Sequence, residues 1–394
     1  MSEKSRAEPV GNIENRLKRL RVGKGLSQGA LAEMAGVTRQ AIYAIEGSQY
    51  LPTTAVALRL AGALDCRVED LFSLVSSGET LEGEWVGPLP DSGDPAPVRV
   101  KVARVGKRVL VRPVASLGAV LNFTVAADGL VAGASPSAKP VHGRGVRVQL
   151  LRDRRAVEEE IVVAGCDPAI YLAGEYLRRR QGQAMVVGWT MGSAAAVEAL
   201  KRGEVHVAGL HVVDAKTGES NLPYLRRHLR GGGYTVVTFA AWEQGLMVRR
   251  GNPKGIRGVA DLARKDVALV NREAGAGARL LLDQRLAALG ITSGKVAGYQ
   301  RTAASHVEVA RLIAEGQADA GMGVESAARL LGLDFLPLQE ERYDLVIPTP
   351  YLTAHRSLAA FLDAIVSRPF RTEIEALGGY DTGDTGKVQR LRAE

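Results

Sequence analysis

Thr38-Arg39-Gln40, with Tyr43 one turn further on, is a row of side chains suited to reading DNA base edges. Arginine and glutamine can each place paired hydrogen bonds on one base, guanine and adenine respectively, in the major groove. Gln28 opens the segment just before this row and joins it as a candidate contact. A second group of residues is suited to holding an anion. Gly188-Trp189-Thr190-Met191-Gly192-Ser193 follows a short apolar run and leads into an amphipathic stretch, and Asn271-Arg272-Glu273-Ala274-Gly275-Ala276-Gly277 does the same. A strand that delivers such a loop to a helix N-terminus presents free backbone N–H groups and the positive end of the helix dipole. A third helix start lies near Thr302 to Ser305, with His306 in its first turn. The candidate ligand residues are therefore Trp189, Thr190, Gly192 and Ser193 on one loop, Asn271, Arg272, Gly275 and Gly277 on the next, and Ser305 with His306 on the third.

Catalytic and metal-binding patterns are not legible. There is no Gly-x-Ser-x-Gly elbow, no phosphate-binding P-loop and no His-Glu-x-x-His. The 6 histidines show no ligand spacing, and His206 and His211 fall on opposite sides of a strand. The 2 cysteines, Cys66 and Cys166, are too far apart to build a disulfide framework or a zinc site alone; Cys166, after an apolar strand, reads as a buried thiol. The expectation is a binding protein without a catalytic site, a metal or a built-in cofactor.

The elements that must position these residues separate by texture. Ser27 is a good N-cap for a helix starting at Gln28, and Gly36 sits where a tight turn needs positive φ. Thr38 caps the next helix, while Leu31, Ala35, Val37, Ile42 and Ile45 supply an apolar inner face. Residues 12–73 read as an all-α head, and 74–97, rich in Gly and Pro, as a linker. Val98, Val100 and Val102 alternate with polar neighbours, and Gly106-Lys107 marks a hairpin, so 98–155 reads as a small β-rich module. From about residue 160 to 385, short apolar runs (Ile161 to Ala164, Met185 to Val187, Val205 to Leu210, Val267 to Val270, Ala318 to Met322) alternate with amphipathic stretches. That is α/β architecture with a largely parallel sheet.

The 394 residues carry 51 basic and 43 acidic side chains, a formal charge of +8, with 46% hydrophobic and 24% charged residues. This is globular composition, and the moderate basic excess permits a nucleic-acid partner. A polar N-terminus and the lack of any apolar run of about 18 residues disfavour secretion and membrane spanning, so a cytoplasmic protein is expected.

The segment Gln28 to Gly47 resembles the lambda-repressor-like (Xre) helix-turn-helix family, and the similarity covers 12–72. It includes Arg21 and Glu46, which pair in relatives, Pro52 opening a fourth helix, and Val68 to Phe72 as a short fifth. Residues 160–385 resemble the two-lobed periplasmic-binding-protein-like (type II) domain found behind such heads and fused to some molybdopterin-biosynthesis proteins. Its relatives include molybdate- and tungstate-binding proteins. The matching segments include Ala164-Gly-Cys-Asp-Pro168, Gly203 to His211, Asp214 to Gly218 with Asn221, Trp242 to Leu246, Gly251 to Pro253 and Val270 to Gly277. The chain departs from that pattern at Trp189, where relatives have a small residue, and at Ala276 and Ala278, where they carry hydroxyls.

The resemblance implies a one-component transcription regulator. Its head binds double-stranded operator DNA as a homodimer, and its clamshell binds a small anion: molybdate, tungstate or a molybdenum-cofactor-related pterin on which Trp189 could stack. Two other readings stay open, a molybdenum-cofactor accessory or storage protein and an enzyme acting on a bound pterin or oxyanion.

Overall fold

The computed structural model describes residues 13–74, 79–87, 96–117, 119–132, 145–181, 185–214, 216–229 and 233–391, which belong to two compact units, 1–79 and 80–394. In the first, a ribbon of β1 (Ile13–Asn15) and β2 (Phe72–Leu74) closes a helical bundle. The bundle comprises α1 (Leu17–Gly23), α2 (Gln28–Ala35), α3 (Arg39–Glu46), α4 (Thr54–Ala63) and α5 (Val68–Leu71). Ser27 Oγ accepts from Ala30 N at 3.0 Å and Thr38 Oγ1 from Ala41 N at 3.1 Å, so both expected caps start their helices. Gly36 ends α2 at φ +62°, a conformation that costs other residues about 1–2 kcal/mol. Leu17, Leu31, Ile42, Ile45, Leu60 and Leu64 fill the core.

The second unit opens with a closed barrel of β3 (Thr80–Trp85), β4 (Val98–Val105), β5 (Arg108–Pro113), β6 (Gly129–Val131) and β7 (Gly145–Leu150). The β-rich module therefore starts at Thr80, inside the segment expected to be a linker. β3 pairs antiparallel with β7 and parallel with β5. Gly83 interrupts its alternation because a Cβ there would come within 2.6 Å of Val111. Most of the Gly/Pro-rich stretch, 88–95, and residues 133–144 lie outside the described residues.

The rest is one mixed sheet in the order β13-β12-β14-β11-β15-β10-β8-β9. In one lobe β8 (Ile161–Gly165), β9 (Val186–Thr190) and β10 (Val207–Leu210) are parallel; in the other, β12 (Leu269–Arg272), β13 (Thr302–Ala303) and β14 (Ala320–Val324) are parallel. Five of these strands match the expected apolar runs; the two-residue β13 matches none. The centre of the sheet corrects the expectation of a largely parallel one. β11 (Tyr234–Val248) and β15 (Asp334–Pro348), 15 residues each, pair antiparallel with one another and with β14 and β10. Polar middles, Glu243-Gln244 and Gln339 to Arg342, hide them from an apolar-run criterion. α6 (Ala119–Thr124) and α7 (Arg154–Glu158) accompany the barrel, α8 (Ala169–Gln181), α9 (Ser193–Lys201) and α10 (Leu222–His228) the first lobe, and α11 (Gly277–Ala288) and α12 (His306–Ala314) the second. Among the described residues no helix is long and apolar enough to cross a membrane.

Barrel and first lobe are joined by buried charge. Lys101 Nζ lies 2.6 Å from Asp128 Oδ1 and 2.8 Å from Glu160 Oε1, and Arg152 Nη1 lies 2.5 Å from both carboxylates. Each buried charge is thus neutralised, as burial at low dielectric requires. Nearby, His206 bridges the same two parts: Nδ1 accepts from Val162 N at 3.0 Å and Nε2 donates to Arg104 O at 2.9 Å. That pairing satisfies a neutral ring. A second ring proton would face the Val162 N–H, so protonation breaks the bridge. Burial and the neighbouring His355 push the His206 pKa down to about 3, against the pull of the Arg104 carbonyl. Between the ordinary 6.5 and 3 the unfolded chain binds a proton here that the native state does not. Native stability is therefore expected to fall on acidification through this window, by up to about 1.4 kcal/mol per pH unit. Denaturant melts at stepped pH check it, and in His206→Gln, which keeps a donor and an acceptor but does not titrate, this part of the slope should vanish.

Candidate functional site

In the head, α3 presents Arg39, Gln40 and Tyr43 to solvent, with exposed Thr38 at its start. Arg21 holds this helix from α1 through a forked pair with Glu46, Nε–Oε1 2.5 Å and Nη2–Oε2 3.0 Å, and also donates to Leu26 O at 2.6 Å. Burial pushes the Glu46 carboxyl up, but the Arg21 and Gln28 hydrogen bonds win and its pKa is lowered. Gln28 is thus engaged within the head: its Nε2 donates to Glu46 Oε2 at 2.9 Å, and it is only half-exposed.

In the two-lobed domain the β9–α9 and β12–α11 loops face one another, and Ala194 N donates to Gly275 O at 3.3 Å. The loop glycines serve that approach and do not form an open cradle. A Cβ on Gly192 would lie 2.9 Å from Glu273 Oε1, one on Gly275 2.9 Å from Ala194 Cβ, and one on Gly277 2.1 Å from His211 O. The Ser193 hydroxyl is used inside its own lobe, with His211 N donating to it at 3.2 Å and His211 O lying 3.3 Å away. Beside Thr190, the Tyr171 hydroxyl donates to Gly188 O. Asn271 supports its own loop, accepting from Arg272 N and donating to Tyr299 O, and Ser305 caps α12. Trp189 is displaced further from the expected role. It is 3% exposed, packed among residues of the barrel and first lobe, with the Arg112 guanidinium 3.5 Å above its ring. It neither roofs the cleft nor offers a free face for stacking.

What does converge is Arg272 and His306 with residues that spacing did not reveal: Cys166 after β8, His211 after β10, and Trp242, Gln244, Glu341 and Tyr343 from β11 and β15. All are buried. Cys166 Sγ lies 3.3 Å from His211 Nε2, and His211 Nδ1 lies 2.5 Å from Glu341 Oε2 and 2.9 Å from Gln244 Nε2. The His211 and His306 rings are 5.7 Å apart. Arg272 uses Nε and Nη2 on Glu273 and on the Ala303 and Ala304 carbonyls, while its buried Nη1 has no partner. Both His306 nitrogens, Trp242 Nε1 and Asp167 Oδ2 are likewise buried and unpartnered.

The electrostatics are polarised. Burial opposes protonation of His211, but Cys166 and Glu341 outweigh it and raise its pKa to about 10. Burial, Arg272 and His211 hold His306 well below 6.5, hence neutral. Burial lifts Asp167 to about 6, against the Ala169 N–H and the Tyr380 hydroxyl. A cavity of about 290 Å³ lined by Arg104, His206, Tyr351 and His355 lies elsewhere, beside the barrel.

Fold and site together define a DNA-binding-type helical head joined to a two-lobed binding domain. Residues 17–71 match the helix-turn-helix family and 174–366 the PBP superfamily domain; the chain belongs to the helix-turn-helix family and carries a PBP-like domain. It is 42% identical over 62 residues to YgzD, an uncharacterized HTH-type transcriptional regulator of Bacillus subtilis, covering 16% of this chain and 94% of that one. It is 38% identical over 197 residues to the uncharacterized protein YvgK of Bacillus subtilis, covering 50% of this chain but only 63% of that relative's length. The sulfate-binding protein SubI of Mycobacterium tuberculosis aligns with 57% of this chain and 86% of its own at 14% identity and a TM-score of 0.43.

Gly277 gives a test of the close packing of the lobes. It occupies the first position of α11, where helix propensity alone favours alanine by up to about 1 kcal/mol. Contact with His211 reverses that sign. Gly277→Ala is expected to destabilise the second unit by about 1–3 kcal/mol in denaturant melts, the usual cost of overpacking.

Proposed function

We propose that the protein is a one-component transcription regulator. Its head binds an operator as a cytoplasmic homodimer, and its two-lobed domain binds a small anion that changes operator affinity. The observation that carries the ligand half is the unpartnered, fully buried Arg272 Nη1 between the lobes, because a buried guanidinium N–H without an acceptor is costly and a bound anion supplies one. The DNA half is supported by the exposed Thr38, Arg39, Gln40 and Tyr43 row on a helix held by the Arg21–Glu46 fork.

Within the anion class, a compact oxyanion of the molybdate or tungstate type is favoured over a pterin, since Trp189 under Arg112 removes the stacking platform. The exposed row also favours the regulator over the cofactor-storage reading. Binding can shift operator affinity only as far as the anion prefers one lobe arrangement over another.

Footprinting should show dyad symmetry with half-sites roughly 34 Å apart. Arg39→Ala or Gln40→Ala should weaken specific binding by about 1–3 kcal/mol and relax operator preference. Arg272→Gln should abolish the thermal-shift response to molybdate, tungstate, sulfate and phosphate while leaving ligand-free operator affinity unchanged. Full operator affinity in both head variants, with the fold intact, would rule out the assigned reading helix.

A further inference from the structure

Cys166, His211 and His306 come from three separate strand–helix connections, yet their ligating atoms lie within 4.8 Å of one another and all three residues are buried. The spacing is near that of a metal site. Zinc ligands at 2.3 Å for sulfur and 2.0–2.1 Å for nitrogen, at a tetrahedral angle, stand about 3.5 Å apart. Cys166 Sγ and His211 Nε2 already stand 3.3 Å apart. His306 must swing inward by about 1 Å to match.

The outer contacts point the same way. Glu341 Oε2, 2.5 Å from His211 Nδ1, accepts from that nitrogen and orients the ring, so that a metal ion displacing the Nε2 proton finds its lone pair aimed toward Cys166. A carboxylate on the far nitrogen is the usual support of a metal-ligating histidine. A Cys166–His211–Glu341 nucleophile relay would share these contacts but leaves His306 unexplained. His306 is fully buried with both nitrogens unpartnered, an arrangement natural proteins avoid unless a ligand satisfies it. One thiolate and two imidazoles suit zinc-like ions and not magnesium or calcium.

We propose that Cys166, His211 and His306 bind one borderline divalent transition-metal ion of the zinc class, with a fourth position left for an exogenous donor. Two ligands come from the first lobe and one from the second, so the ion clamps the lobes together. This goes beyond the anion reading and does not depend on it.

The experiment uses the full chain, stripped with chelator and titrated with Co²⁺. One equivalent should give a thiolate-to-cobalt charge-transfer band and tetrahedral ligand-field bands, and Zn²⁺ should displace them. Cys166→Ser should remove the charge-transfer band; Cys66→Ser, which changes the only other cysteine, should not. Glu341→Gln should keep the band but weaken Co²⁺ binding 10- to 100-fold. X-ray absorption on the zinc-loaded parent should show one sulfur and two histidine nitrogens, a reading that does not depend on any variant folding. Absence of the band, its survival in Cys166→Ser, or a shell without sulfur overturns the proposal. Operator and anion binding are read separately, so failure here leaves the regulator reading untouched, and failure there leaves the metal site standing.

Discussion

The second unit depends on the antiparallel ladder of β11 and β15. Each strand runs through both lobes, and the ladder holds register from Tyr234 opposite Pro348 to Val248 opposite Asp334 with shifts at two points. One end of this ladder pairs with the first lobe through β10 and the other with the second through β14. The middle is therefore the floor of the cleft, and it carries Trp242, Gln244, Glu341 and Tyr343. Room for Tyr343 comes from two glycines: a Cβ on Gly165 or Gly209 would lie 2.0 or 1.9 Å from its hydroxyl. β10 pairs with β15 only at Asp344 to Val346 and β14 with β11 only from Gln244 to Val248, so the polar middle of the ladder lies between the two lobes.

In the head the caps, the Gly36 turn and the apolar face were legible, since each is set within a few residues; the β1–β2 ribbon, which joins the two ends of the head and takes in Phe72, was not. The parallel strands of both lobes other than β13 were legible for the same local reason. The ladder was not, because a strand that crosses a cleft loses the continuous apolar run that betrays a buried strand. β3 was hidden by Gly83 and by the Gly/Pro-rich stretch after it. At the site, the loops named from the sequence do face one another, and the structure shows how their residues are used. Gly192 and Gly275 permit the close approach of the two loops, and the Ser193 hydroxyl is engaged with the His211 backbone inside its own lobe. The histidine and cysteine cluster had no signal to find: Cys166, His211 and His306 gain their proximity only from strand order, which spacing along a chain cannot reveal.

The buried polar groups around the cleft are unevenly satisfied, and the pattern has a physical reading. Between barrel and lobe the Lys101, Asp128, Glu160 and Arg152 charges pair with one another, although Glu160 Oε2, Arg112 Nε and Trp189 Nε1 keep no hydrogen-bond partner. Such a set is structural, because removing one member strands the others. Between the lobes, Arg272 Nη1, both His306 nitrogens and Trp242 Nε1 are left over. Leaving several such groups unpaired costs a few kcal/mol in total. A protein marginally stable overall keeps such a cost where binding recovers it.

That distribution bears on how binding can be transmitted. Direct polar contact between the lobes includes the backbone bond from Ala194 N to Gly275 O, 3.3 Å long and worth at most about 1 kcal/mol. The groups that converge on the cleft are divided: the paired Cys166 and His211 belong to the first lobe, and Arg272 and His306, with their unpartnered nitrogens, to the second. A ligand that touches only one lobe gains the same free energy whether the cleft is open or closed, and so shifts nothing. A ligand that must be gripped by both gains it only when they meet. Under the anion reading proposed above, the division of the site across the ladder, and not the strength of any one contact, is what would couple occupancy of the cleft to the arrangement of the lobes.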